Sequence, residues 1–470
     1  MLTFLQKIIS SCNNILWSYV LIILLIGIGL YFSFKSKFVQ FKMFKEMFRL
    51  LGEGASKSVT SNEKKGVSSF QAFCISTASR VGTGNLAGVA IAIAVGGPGA
   101  VFWMWLIAII GSASSFVEST LAQIYKVKDK HGYRGGPAYY MEKALNKRWL
   151  GVLFSILITI SFGLVFNAVQ ANTITFAFQE AFGVNRLIIG MVLTAAAGLI
   201  IFGGVKRIAK IAEIIVPIMA IIYILIALFV ILKNITLIPS IFALIFKNAF
   251  GLQQAAGGFL GTLLMGIKRG LFSNEAGMGS APNAAAAADV THPVKQGLIQ
   301  TLGVFTDTII ICSCTAFIIL ISGVYTQTKL EGIQLTQTAL SSQVGSWGTT
   351  FIAVCILLFA FSSIVGNYYY GETNMEFIKG NRLCLLIYRF CVLGMVVFGS
   401  IAKIQIVWDM ADLFMGLMAI INLVAIFQLA HIAFDALEDY IKQKKEGKDP
   451  VFYKNNIKGL KNVECWEETN

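Results

Sequence analysis

Arg80-Val81-Gly82-Thr83-Gly84-Asn85-Leu86-Ala87-Gly88 interrupts one long apolar stretch, and Arg269-Gly270-Leu271-Phe272-Ser273-Asn274-Glu275-Ala276-Gly277 interrupts another 189 residues later. Arg, Asn, Ala and Gly recur at the same spacing in both copies. Each places glycine and polar residues where a membrane-spanning helix would be smooth and oily. Paired interruptions at matching places in two halves of a chain point to a transporter's binding site near the bilayer midplane.

The rest of the chain supports a membrane setting. Of its 470 residues 56% are hydrophobic and 13% charged, with a mean hydropathy of +0.73. A soluble domain cannot hide that much apolar surface, so lipid must solvate part of it. Apolar runs predict about eleven spans, near 16–33, 67–95, 99–125, 149–178, 186–203, 208–232, 253–287, 297–323, 347–378, 383–402 and 407–433. Short loops join them into one membrane domain. Residues 1–33 read as a retained helix, because the apolar run is long enough to span and lacks a clean small-residue cleavage site.

The net charge of +14 would suggest nucleic acid if it were scattered. Instead, 28 of the 38 Lys and Arg residues fall in alternate loops and the C-terminal segment, all on one side of the predicted topology. That bias places the N-terminus outside and the C-terminus in the cytoplasm of a plasma membrane of the bacterial inner-membrane type. No nucleic-acid partner is expected, only membrane lipid, and no obligate protein partner is implied. The eight cysteines lack a disulfide or metal spacing, and three scattered histidines support no metal site.

The 189-residue offset carries the later spans of the first half onto those of the second, giving five spans per unit. Five is odd, so the second unit enters the membrane inverted. The predicted organisation is an extra N-terminal helix (1–33), a cytoplasmic amphipathic segment (34–66), a first five-helix unit (67–232), an inverted second unit (253–433) and a mobile, polar cytoplasmic tail (434–470).

Unwound backbone in lipid is tolerated only where it lines a cavity. At Gly82-Thr83-Gly84-Asn85, free N–H groups at the start of the second half-helix suit a substrate carboxylate. Carbonyls ending the first half suit a bare cation. Close helix packing through small residues is the alternative use of such glycines. The second interruption reads as a helix start with Ser273 as N-cap. Lys268 and Arg269 are costly at membrane depth, so they should pair or meet water, either gating a pathway or lying nearer an interface. Glu118, Glu213 and Asp307 are expected buried, in salt bridges more than as proton carriers, one of them partnering Arg80 or Arg269. Polar clusters at Asn167, Gln170 and Asn172, and at Ser362, Ser363 and Asn367 with three tyrosines, interrupt two equivalent spans. The Ser362 and Ser363 hydroxyls are hard oxygen ligands suited to Na⁺.

Several stretches resemble the sodium:alanine symporter family. They are residues 79–90 (Ser-Arg-Val-Gly-Thr-Gly-Asn-Leu-Ala-Gly-Val-Ala), 96–105 (Gly-Gly-Pro-Gly-Ala-Val-Phe-Trp-Met-Trp), 116–125 (Phe-Val-Glu-Ser-Thr-Leu-Ala-Gln-Ile-Tyr), 134–141 (Arg-Gly-Gly-Pro-Ala-Tyr-Tyr-Met), 166–172 (Phe-Asn-Ala-Val-Gln-Ala-Asn) and 268–282 (Lys-Arg-Gly-Leu-Phe-Ser-Asn-Glu-Ala-Gly-Met-Gly-Ser-Ala-Pro). The resemblance runs from about residue 15 to 435. It implies an all-α, leucine-transporter-like inverted repeat of five plus five helices preceded by one more, and Na⁺-driven uptake of small neutral amino acids such as alanine and glycine. Carried over, Thr83 and Gly84 would offer N–H groups to the substrate carboxylate. The carbonyls of Ala78 and Val81, with Ser362 and Ser363, would bind Na⁺, and Asn85 is a second-ion candidate. Gln170 and residues around Phe272 would contact the amine or side chain. The chain departs from the alanine carriers at Asn367, where they carry Trp. An amide in place of an indole enlarges the pocket and adds a donor and an acceptor, which a longer polar substrate such as glutamine could use.

An enzyme is disfavoured because no zinc-protease, nucleophile-elbow or carboxylate-dyad pattern is present. Proton coupling through the buried carboxylates is the rival within the transporter class. An amino-acid-gated channel is the rival outside it.

Overall fold

The computed structural model describes residues 2–60, 67–129, 132–203, 205–251 and 258–467. Nearly all ordered structure is helical, with one two-stranded hairpin of Val127–Asp129 and Gly132–Arg134. Among the described residues seven helices are long and apolar enough to cross a membrane, and two bent pairs raise the number to nine. The expected eleven is therefore not reached on length and composition. Arg186–Ile201 has only 16 residues, and the span expected at 253–287 is split into Gly258–Asn274 and Ala281–Ala287.

The helices run in two series along the chain. Ser69–Arg80 with Gly84–Gly96, Ala100–Ile124, Arg148–Phe182, Arg186–Ile201 and Val205–Lys233 form the first series. Gly258–Asn274 with Ala281–Ala287, Pro293–Ser322, Trp347–Lys379, Arg382–Ile401 and Ile404–Lys445 follow in the same order. The first broken helix starts at a capping box, in which Ser68 accepts from the Gln71 backbone and the Gln71 side chain accepts from the Ser68 N–H. It stops at Arg80 and resumes as a π-turn, Gly84–Gly88, bent by 47°.

The second break lies further along than the sequence suggests. Ser273 is inside its helix, which runs on to Asn274, and the interruption is residues 275–280. Glu275, Gly277 and Gly279 all take positive φ (56°, 83° and 84°), and this left-handed run cannot continue a right-handed helix. The glycines adopt it freely; Glu275 does so under strain.

The basic segments around Lys126 and Lys295 come together on one face of the molecule. There Val67 pairs in parallel with Ala288, joining the start of the first broken helix to the end of the second. Lys126 Nζ donates to the Ala288 carbonyl (3.0 Å) and the Gln123 side chain donates to the Ala285 and Ala288 carbonyls. The amphipathic segment forms Val39–Lys42 and Phe44–Thr60, with Phe41, Phe44 and Phe48 exposed and Met47 and Leu50 buried.

The C-terminal segment departs from its expected mobility. Ile404–Lys445 is one continuous helix through residue 434, and residues 449–466 fold back against the basic face. Trp466 Nε1 donates to the Gln123 carbonyl (3.0 Å), Phe452 N to the Thr291 carbonyl (2.9 Å), and Lys295 pairs with Asp449 (2.7 Å). Phe452, Ile457, Leu460, Val463 and Trp466 are buried. These apolar residues recur every three to five positions, a pattern hidden by the surrounding Lys and Glu.

Candidate functional site

The two breaks meet at the centre of the helix bundle, packed against Trp347–Lys379 and Arg148–Phe182. Glycine makes the approach possible. A Cβ on Gly84 would lie 3.0 Å from Phe272 and 3.2 Å from the Ser273 backbone, and one on Gly82 would collide with Ser363 Oγ.

The four residues expected to bind Na⁺ converge. Ser363 Oγ lies 2.8 Å from the Ala78 carbonyl and 3.4 Å from that of Val81, and Ser362 Oγ lies 3.5 Å from the Ala78 carbonyl. Both hydroxyls donate in this arrangement, also to the Phe359 carbonyl. A hydroxyl hydrogen rotates freely, so turning it away would present two lone-pair oxygens beside two carbonyls. Such a set of neutral oxygens can replace the hydration shell of a small monovalent cation.

Gln170 Oε1 accepts both the Thr83 N–H (3.0 Å) and the Thr83 O–H (2.6 Å). It therefore holds the Thr83 N–H, one of the two donors assigned to the substrate carboxylate, rather than facing an amine. Of its neighbours, Asn167 bonds within its own helix and Asn172 spans to the Gly399 and Ala402 carbonyls, so neither reaches the break.

Asn85 Oδ1 accepts from the Gly82 N–H (2.9 Å), while its amide donates to Asp307 Oδ1 (2.7 Å). Its oxygen thus spends one of its two lone pairs on the backbone of the break. Ser273 and Thr308 hydroxyls also donate to Asp307 Oδ2. The carboxylate ties the first break to the end of the helix that leads into the second, through neutral donors.

Asn367 is fully buried one turn beyond Ser363 on the same helix. Its Oδ1 lies 2.8 Å from Ser79 Oγ, which is also 3.0 Å from Glu275 Oε1, and Glu275 Oε2 accepts from Ser280 (2.6 Å). The Asn367 amide nitrogen has no partner.

Phe272 stacks obliquely between Phe166 (4.7 Å) and Trp408 (4.8 Å) and roofs the opposite side of the break. Arg269 covers Trp408 (4.5 Å) and binds both oxygens of Asp412 (2.7 and 2.6 Å). Lys268 lies 3.8 Å from the same carboxylate. Both basic residues therefore pair.

Among the described residues, Glu118 and Asp307 form no salt bridge with Arg80 or Arg269. Glu118 accepts from the Gly277 and Gly279 N–H groups and from Asn422, bracing the second break. Arg80 donates to the Gln300 carbonyl (3.2 Å) and Ser115, and the Glu213 side chain lies outside the described residues. Asp412, Trp408, Ser79 and Glu275 were not foreseen. Asp412 carried a signal, an acidic residue within the apolar run 407–433, of the same kind as the one that singled out Glu118, Glu213 and Asp307.

Comparison with known proteins adds three findings. A family model described as "Sodium:alanine symporter family" matches residues 2–454. "Probable sodium/glutamine symporter GlnT" of Bacillus subtilis (strain 168) is 63% identical over 98% of this chain and 96% of its own, and that organism's "Putative sodium/proton-dependent alanine carrier protein YrbD" is 45% identical over 98% and 97%. Among solved structures, a manganese transporter of Eremococcus coleocola aligns with a TM-score of 0.52 at 12% identity, over 79% of this chain and 87% of that one; the likeness is one of fold.

Proposed function

Since the chain belongs to the sodium:alanine symporter family, and is thus a membrane-embedded, cation-coupled amino-acid symporter and not an enzyme, we propose that it imports a small neutral amino acid with Na⁺ by alternating access. The observation that carries the ion assignment is the convergence of the Ala78 and Val81 carbonyls with the Ser362 and Ser363 hydroxyls. They come from two helices and use no charged group, as suits a monovalent ion that must also leave. The Thr83 and Gly84 backbone, beside Gln170 and beneath Phe272, is the proposed substrate seat. Gln170 Oε1 takes the Thr83 N–H and O–H here and would yield them to a substrate carboxylate.

Asn367 supports glutamine as substrate, with alanine and glycine as the alternatives. A buried amide nitrogen without a partner costs about 1–3 kcal/mol, and a polar substrate side chain would relieve it. The name borne by the 63% identical relative agrees. The charge bias supports an N-terminus outside and a basic cytoplasmic face in a bacterial inner membrane.

The test is uptake of labelled glutamine and alanine into proteoliposomes under an inward Na⁺ gradient, with choline as replacement. Na⁺-dependent glutamine uptake exceeding that of alanine supports both parts. Alanine uptake alone removes glutamine. Uptake indifferent to Na⁺ removes the ion assignment and favours H⁺, the reading to which Asp307 and Glu275 lend weight, since the bonds described to both come from neutral donors.

A further inference from the structure

Between Asn367 and the second break lies one hydroxyl with two acceptors. Ser79 Oγ is within hydrogen-bond reach of Asn367 Oδ1 (2.8 Å) and Glu275 Oε1 (3.0 Å), yet it carries a single hydrogen. If Ser79 donates to Glu275, the Asn367 oxygen is left facing an oxygen with no hydrogen between them. If Ser79 donates to Asn367, the Glu275 contact closes only when Glu275 brings its own proton. With the Asn367 amide oriented as it stands, only the second arrangement puts a hydrogen in every contact. Ser280 then donates to Glu275 Oε2, the Glu275 carboxylic acid donates to Ser79 Oγ, Ser79 donates to Asn367 Oδ1, and the Asn367 NH₂ remains free. With the amide turned over, its NH₂ would donate to Ser79 and Ser79 to an ionised Glu275, and the glutamine KM would then not rise with pH as Glu275 ionises. All four side chains are at most 3% exposed, so water does not readily substitute for a missing link.

We infer that, on the reading of Asn367 as part of the substrate side-chain subsite, a protonated Glu275 acts through Ser79 to hold the Asn367 amide as a hydrogen-bond donor towards the carbonyl of a substrate carboxamide. Ser79 and Glu275 are positioning residues; only Asn367 touches the substrate. One helical turn, about 5.4 Å, separates Asn367 from Ser363, so the subsite lies a side chain's length beyond the ion and carboxylate groups. A methyl side chain cannot span that gap, and alanine gains nothing from the relay. The charged and titratable groups that act on Glu275 are Arg80 on the first broken helix, Asp307 on Pro293–Ser322 and Tyr370 on Trp347–Lys379.

The same proteoliposomes test the relay, with glutamine and alanine KM measured across pH for wild type, Ser79→Ala, Ser79→Thr and Glu275→Gln. Loss of the Ser79 link should raise the glutamine KM about tenfold more than the alanine KM, the equivalent of one hydrogen bond. Threonine, which keeps the hydroxyl, should restore the ratio. The wild-type glutamine KM should rise with pH as Glu275 ionises. Glu275→Gln keeps a donor towards Ser79 and an acceptor towards Ser280, so it should retain the glutamine preference and lose its pH dependence. A wild type that prefers glutamine, with the preference untouched in Ser79→Ala or abolished in Glu275→Gln, overturns the relay alone. A wild type that ignores glutamine overturns the substrate reading and the relay with it.

Discussion

At the scale of single residues, the site is set by how closely two backbones and two polar side chains approach. Gly82 sits where any Cβ would strike Ser363 Oγ and come within 2.9 Å of Gln170 Oε1. Gly82→Ala should therefore displace a proposed ion ligand and a proposed substrate neighbour together, and raise the half-saturating Na⁺ concentration about tenfold. Gly198→Ala is the control, because its new methyl would meet only Leu393 at 3.7 Å. Equal Na⁺ dependence in both variants would remove Gly82 from the site. The glycines and hydroxyls were legible because each breaks an otherwise oily pattern. The partners of Asn85 and Gln170 were not, since their hydrogen bonds reach residues 87 to 222 positions away.

At the scale of elements, the Phe44–Thr60 helix shows how an amphipathic segment is tied down. Glu46 lies beside Arg49 and accepts from Tyr440 Oη (2.6 Å), with Lys444 at 3.3 Å. Chiefly through its hydrogen bond with Arg49, its carboxyl is held at about 2 against an ordinary 4.5. A depressed carboxyl stabilises this helix, and through Tyr440 and Lys444 its attachment, fully above about pH 4.5, and the contribution disappears as pH falls through about 2. Glu46→Gln should mimic that loss at neutral pH, with faster amide exchange confined to this helix and the end of Ile404–Lys445. Unchanged exchange would mean that the buried Met47 and Leu50 hold the helix by themselves. The amphipathic pattern was readable from local spacing, whereas the clamp joins residues 394 apart.

At the scale of the molecule, the two units meet at their breaks, and the folded-back tail braces the basic face around the Val67–Ala288 pairing. Lys126 is held between the Tyr133 and Trp466 rings (4.0 and 4.7 Å) while it donates to Ala288, and burial lowers its pKa to about 8. Deleting residues 449–470 uncovers that lysine and removes five buried apolar side chains from their seats, each worth about 1.5–3 kcal/mol when fully buried. The deletion should lower the melting midpoint of the detergent-solubilised protein by several degrees. An unchanged midpoint would show that the tail rests on the face without supporting it.

By itself the sequence determined what depends on composition and local pattern: a membrane protein, a repeated order of helices, two interruptions and a bias of basic charge. Lipid imposes those features segment by segment, because every span must satisfy its own backbone and shed its charges. Only the tertiary structure decided where the second break falls, which acid pairs with Arg269, what Gln170 binds and that the tail is packed. Each depends on which distant side chains become neighbours once the two units close on one another, and local spacing carries no record of that.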